Sequence, residues 1–280
     1  MQEVPLMEIF VYGFVQRAML AGSLISVLCS VLGVFLVLRR MSLIGDGLAH
    51  VTFGSAAMAL AMKLYSASSL LISIPVVLLS SLGILKLMEK GRLSGDAAIG
   101  IVSAAGIAAG IILASIGGGY NVDLLSYLFG NILSITFEEV CIAVVLFVVV
   151  MVMMLLFYND LVAVTLSEEL AKVSGVPTRL ISSVLVCLTA LSVVLAMKLV
   201  GIMLITALLV IPAASALQVA RSFKICVLLA GLQGVVSVLA GIVISFQFNL
   251  PTSASVVVLN LVLFMVACLV RRLRVTGSNS

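Results

Sequence analysis

The sequence predicts an all-α polytopic transmembrane helical bundle, and three observations carry that prediction. Of 280 residues, 64% are hydrophobic and only 9% are charged, which leaves too little polar surface for a water-soluble globule. The mean hydropathy of +1.40 is spread along the chain instead of being gathered in one anchor. Apolar runs of about 20 residues, the length that crosses a bilayer as a helix, recur between short polar breaks. One transmembrane domain over 1–280 is therefore expected, with no room for a soluble catalytic domain.

The first run, 16–38, ends at Arg39 and Arg40. The second, 45–64, follows at once, and runs at 68–87 and 97–116 flank Lys86, Lys90 and Arg92. The fifth, 138–158, leads towards Lys172 and Arg179. Runs at 179–198 and 202–220 come next, and Arg221 with Lys224 precedes 225–246. The last, 253–270, is closed by Arg271, Arg272 and Arg274. Lys and Arg thus fall in alternate loops, the asymmetry that marks cytoplasmic segments, whereas loops around 66–69, 117–136 and 248–252 carry almost none. Lys198 is the exception. The scheme has nine crossings and a cytoplasmic C-terminus, or eight crossings if the first run is re-entrant or interfacial. The N-terminus has no basic leader with a short apolar core and a small-residue cleavage site, so no cleaved signal peptide is expected. The net charge of +4 is accounted for by these loops and implies no nucleic-acid partner.

Two loops differ from simple connections. Gly117, Gly118 and Gly119 make a flexible break before Asp123, and the apolar stretch 124–133 is too short to span, which predicts an interfacial or re-entrant segment. On the cytoplasmic side, 159–178 is the longest polar stretch. Ser167 as N-cap, Glu168 and Glu169 in a first turn, Lys172 further on, Gly175 as a stop and Pro177 beyond it spell a helix of about two turns. A capped amphipathic helix in a loop is a docking element more often than a pathway.

The single histidine, His50, stands four residues after Asp46 in the second run. A carboxylate at the bilayer centre costs about 2.5–3.5 kcal/mol on insertion scales, so the pair is a functional candidate. On a helix the two residues share a face, and carboxylate plus imidazole makes a half-shell for Zn²⁺, Mn²⁺ or Fe²⁺. Two ligands are too few for tight binding, which suits a transit site, and a two-fold homodimer would supply a second pair. Two other readings stay open on spacing alone. Asp46 and His50 satisfy each other, with Asp46 capping a helix start, or they relay protons, although no further buried acid continues such a relay.

The other polar residues read structurally. Asp96 after Ser94 and Gly95, and Glu138 with Glu139 after Thr136, mark helix starts; Arg17 and Lys63 snorkel from span ends. The five cysteines lie singly in apolar runs without Cys-x-x-Cys spacing and read as small core residues. Scattered methionines read as core filling. There is no Gly-x-x-x-x-Gly-Lys-Ser phosphate cradle, so no enzymatic ATP hydrolysis is expected in this chain.

The stretch from Arg39 through Ser42 and Asp46 to His50 resembles the Arg-Arg-x-Ser-x-x-x-Asp-x-Leu-[Ser/Ala]-His signature of the membrane permease subunits of bacterial zinc and manganese ABC importers. Asp123 through Gly130 and Asn131 is similar to that family's external loop, 197–216 to its Pro-Ala-Ala span, and 167–176 to its coupling segment. The resemblance implies a multi-pass protein of the bacterial cytoplasmic membrane, a homodimer set in lipid. It also implies a separate cytoplasmic ATP-binding subunit engaged through Glu168, Glu169, Ala171 and Gly175, and an extracytoplasmic metal-binding protein; Asp123 reads first as turn chemistry beside Asn121, with contact to that external partner as its other reading. It implies a divalent metal, zinc ahead of manganese, passing Asp46 and His50 as cargo, with no permanently bound cofactor. After His50 the chain departs from relatives: the glycine moves by one position to Gly54 and Phe53 enters, which can alter helix packing there, while the abundant small residues still allow close helix approach. A gradient-driven secondary metal transporter and a non-transporting metal-binding scaffold are the alternatives.

Overall fold

The computed structural model describes residues 12–61, 67–91, 93–116, 130 and 135–277. Among them are eleven helices: α1 (Gly13–Leu38), α2 (Ile44–Ala61), α3 (Ala67–Gly91), α4 (Gly95–Ile116), α5 (Phe137–Leu156), α6 (Tyr158–Leu166), α7 (Glu168–Val173), α8 (Thr178–Val200), α9 (Ile202–Val219), α10 (Phe223–Phe248) and α11 (Thr252–Gly277). No strand occurs among the described residues, as hydrocarbon demands of a chain that satisfies each backbone group within its own segment.

Eight of these helices are long and apolar enough to cross a membrane. The first run is one of them. The second run corresponds to α2, whose 18 residues extend about 27 Å and include Gly45, Asp46, Gly47, His50, Thr52, Gly54 and Ser55. It can carry that polarity because α3, α4, α8 and α9 pack around it.

Helices α1 and α8 form the interior: 72% of the central stretch of each is buried, against 17% in α4 and α11. Helix α1 packs on α9 and α10, α11 backs onto both of those, and α8 joins this group to α2 and α3. Polar side chains are bonded in pairs between helices, as Ser55 to Ser73 at 2.8 Å and Gln233 to Ser215 at 3.0 Å, which removes bare donors from lipid.

The helix ends follow the residues that set them. Thr136 and Glu139 cap α5 reciprocally, and Ser94 accepts from the Ala97 N–H at the start of α4. Helix α1 closes with Arg40 in the left-handed region (φ 57°), its N–H bonded to Val37 O and that of Met41 to Leu36 O. This is a Schellman closure with arginine in the place glycine usually takes. It turns the chain straight into α2.

Several expectations change. The stretch 159–178 is less a loop than two helices, since the chain breaks at Phe157 and α6 buries Leu161 and Val164; their spacing of three was an amphipathic signal hidden by neighbouring polar residues. Cys141 is exposed and is not a core residue, whereas Cys29 and Cys226 are buried. Arg17 does not simply snorkel, for its Nε is buried without a partner. Lys63 and the stretches 117–129 and 131–134 lie outside the described residues.

Candidate functional site

Helix α2 has an unusual pattern of exposure. From residue 44 to 52, only Asp46 and His50 are not buried. Leu48, Ala49 and Val51 pack inward, so the bundle covers the apolar faces and leaves the acid and the imidazole open. Their side chains are 47% and 27% exposed, and His50 Nε2 lies 3.6 Å from Asp46 Oδ2. That separation exceeds a hydrogen bond. The helix begins at Ile44, two residues before Asp46, so Asp46 sits inside the first turn instead of capping it. Both groups keep free lone pairs towards the same space.

Close helix approach fixes this face. Gly54 meets α4 so tightly that an added Cβ would stand 2.4 Å from Gly106 O, and one on Gly106 would stand 2.8 Å from Val51 Cα. The small residues after His50 therefore hold α2 against α4 in spite of the shifted glycine. Helix α4 in turn leaves Gly100, Ala104 and Ala108 exposed one turn apart. Among the described residues no three His, Cys, Asp or Glu side chains gather, so one chain supplies two donors here.

A second cluster lies where α1 ends. Arg39, with a side chain only 11% exposed, places Nη2 3.4 Å from Glu168 Oε2 and donates at 2.9 Å to Ser182 Oγ. Burial pulls the guanidinium below its usual pKa while Glu168 pulls it back up, and it remains cationic at physiological pH. Arg179 pairs with Glu89 at 3.0 Å. The starts of α7 and α8 and the ends of α1 and α3 thus share one face.

Helix α7 has the predicted cap and first turn: Ser167 accepts from the Leu170 N–H, and Glu168 and Glu169 occupy the first turn; Ala171, expected at the coupling surface, instead packs inward and is buried. Gly175 has φ 84°, with its N–H on Lys172 O and that of Val176 on Ala171 O. Beside α7 runs a groove of about 960 Å³ lined by Glu89, Glu168, Lys172, Pro177 and Arg179. On the opposite face Lys198, the exception to the charge rule, pairs with Glu139 at 3.1 Å. Asp123 lies outside the described residues.

Sequence reasoning joined Asp46 to His50 because their contact is local. It missed the Arg39, Glu168 and Ser182 cluster and the pairing of Glu89 with Arg179, which need tertiary structure. The only available signal was that all of them stood at span ends assigned to one side.

A bundle of membrane-spanning helices with an open polar pair on a helix walled in by its neighbours, and a capped helix beside a groove at one end, defines the class: a polytopic membrane permease. The ABC 3 transport family pattern matches residues 11–271, and this chain belongs to that family. Manganese transport system membrane protein MntC of Halalkalibacterium halodurans is 31% identical over 260 residues, 93% of this chain and 88% of that protein. High-affinity zinc uptake system membrane protein ZnuB of Haemophilus influenzae is 31% identical over 251 residues, covering 89% and 95%. The structure of PsaBC from Streptococcus pneumoniae in complex with Fab matches with a TM-score of 0.82 at 28% identity over 94% of each chain. The chain is a multi-pass permease subunit of the cytoplasmic membrane and is not itself an enzyme.

Proposed function

We propose that this chain is the transmembrane subunit of an ATP-driven importer of a divalent transition metal. The metal passes as cargo between Asp46 and His50 of one copy and the same residues of a second copy across a two-fold axis. The observation that carries this reading is the open Asp46 and His50 face on an otherwise covered helix. A half-exposed carboxylate within the bundle requires a counter-charge or ligand, and two chains provide a two-oxygen, two-nitrogen set. That set suits Zn²⁺ with tetrahedral geometry, and Mn²⁺ when water or bidentate carboxylates add donors. Relatives named for manganese and for zinc stand at the same identity; the four-donor count favours zinc first and manganese next. Exposed Gly100, Ala104 and Ala108 support close approach of the second copy.

The face bearing Arg39, Glu89, α7 and Arg179 is cytoplasmic, by the distribution of basic residues. There a separate ATP-binding subunit docks on the exposed Glu168, Glu169 and Gly175, while buried Ala171 seats α7 on the bundle. An extracytoplasmic metal-binding protein delivers the ion to the other face, with Asp123 in contact.

The test is uptake of radioactive zinc and manganese in cells lacking other importers. His50→Ala should lower uptake by at least about tenfold, the scale of losing a metal-site group, while co-purification with the ATP-binding subunit stays unchanged. Undiminished uptake of both metals rejects the site. Flux through this chain alone in nucleotide-free liposomes rejects the ATP-driven reading.

A further inference from the structure

A second concave surface lies away from both clusters, between α1, α5 and α10. It is a groove of about 630 Å³ whose wall is aliphatic, with Val27 and Val31 on one side and Leu228 and Val235 on the other. Gly231 forms part of its floor. Leu155 and Leu228 stand exposed along it, so the groove opens sideways, towards hydrocarbon, and not into the protein.

Its polar groups are confined to one end. Tyr158 and Lys224 line the mouth, and no acidic residue is among the lining. Among the described residues Lys224 makes no ion pair or hydrogen bond. Arg221, also exposed, lies less than one turn earlier in the chain. The mouth lies on the same face as Arg39, because Phe223 stacks edge-on against both Phe35 and Tyr158 with centroids 5.1 and 6.3 Å apart.

The dimensions select the occupant. From Lys224 to Val235 the groove follows α10 for about 16 Å, close to half of a hydrocarbon core about 30 Å thick. A cation at headgroup level above an apolar channel one leaflet deep matches a phospholipid with a negative headgroup.

We propose that this groove binds one anionic phospholipid of the adjacent leaflet, with an acyl chain along Val31, Gly231 and Val235 and the phosphate held by Lys224 and the Tyr158 hydroxyl. The site is independent of the metal reading and is tested without transport. Full-length protein is equilibrated in mixed micelles containing equal dioleoylphosphatidylglycerol and dioleoylphosphatidylcholine, and retained lipid is counted by native mass spectrometry. The wild type should retain phosphatidylglycerol preferentially. Lys224→Gln should lower that retention about fivefold, the effect of one basic residue at an anionic surface, and leave phosphatidylcholine unchanged. Gly231→Leu should lower retention of both by filling the floor. A Cβ fits there, since it would meet only Val31 Cγ2 at 3.9 Å, and an unchanged Tm checks that the fold also accepts the larger side chain. Equal retention of phosphatidylglycerol by wild type and Lys224→Gln overturns the proposal. So does disulfide capture of a second chain by Leu232→Cys, which would give the groove to another copy.

Discussion

Arg39 at the end of α1 reaches Glu168 in the first turn of α7 at 3.4 Å, across 129 residues of sequence. The same guanidinium holds Ser182 of α8, and Arg40 and Met41 turn directly into the helix that bears Asp46. A displacement of α7 therefore has a short polar route to α2. The route does not depend on a large pair energy. Glu168 is 60% exposed, and an ion pair so open to solvent contributes at most about 1 kcal/mol; its value here is positional.

Arg39→Ala should leave the subunit folded and docked on its ATP-binding partner, yet abolish metal stimulation of ATP hydrolysis in the reconstituted complex. Metal binding by the isolated permease, measured by calorimetry, should persist, which separates this variant from His50→Ala. The exchange Arg39→Glu with Glu168→Arg should restore part of the stimulation. Wild-type stimulation in the single variant would show that α7 acts through some other contact.

Gly175 should tolerate only residues that accept a left-handed backbone. At φ 84° a β-branched side chain is strained by about 1–2 kcal/mol, although an added Cβ would meet nothing within 4 Å. The cost is thus in the backbone and not in packing. Gly175→Val should distort the end of α7 and uncouple ATP hydrolysis from uptake, while Gly175→Asn should retain coupling because asparagine visits this region readily. Equal coupling in the two variants, measured as metal transported per ATP hydrolysed, would remove the turn from the mechanism.

Two glycines on α2 and α4 separate the fold from the assembly. Gly54→Ala forces a Cβ against Gly106 O, so α2 must move off α4; overpacking of this kind costs about 1–3 kcal/mol and should lower Tm. A Cβ added at Gly100 meets nothing within 4 Å in its own chain, and this position is exposed, so Gly100→Leu should leave the Tm of the monomer unchanged. If the small-residue face of α4 meets a second copy, the same change should shift the dimer to monomer by light scattering. A dimer that persists in Gly100→Leu places the two-fold axis elsewhere.

What was legible in the sequence follows the range of each interaction. The spans α1 and α8 announce themselves because a long apolar run has one stable form in hydrocarbon. Asp46 and His50 are readable because four residues of helix bring them together, and Ser167 with Gly175 because caps act within a turn. Helix α2 is less plain in a hydropathy reading, since its polar residues are tolerated with α3, α4, α8 and α9 packed around it. The partners of Arg39 and Lys198 were invisible for the converse reason: charge marks which side of a membrane a residue prefers and says nothing of which opposite charge it will meet.

A buried polar pair gives the last prediction, because its two halves are unequal. Ser237 donates to Asn260 Oδ1 at 2.8 Å and also lies 2.7 Å from Gln233 O of its own helix, so it keeps a partner whichever bond is lost. Asn260 is fully buried, and its Nδ2 has no partner. Exchanging the amide oxygen and nitrogen would merely leave the other atom unbonded, so the shortfall does not depend on the amide's orientation. Ser237→Ala strands the whole amide in the bundle and should destabilise by about 1 kcal/mol, the range of interhelical hydrogen bonds in membranes. Asn260→Leu removes the unbonded nitrogen, fills a similar volume and leaves Ser237 bonded to Gln233 O, so its cost should be near zero or negative. Thermal unfolding of both variants in one detergent gives the comparison. If Asn260→Leu is the more damaging, the unbonded nitrogen is not what limits stability here, and the Asn260 amide rather than the Ser237 hydroxyl holds α10 to α11.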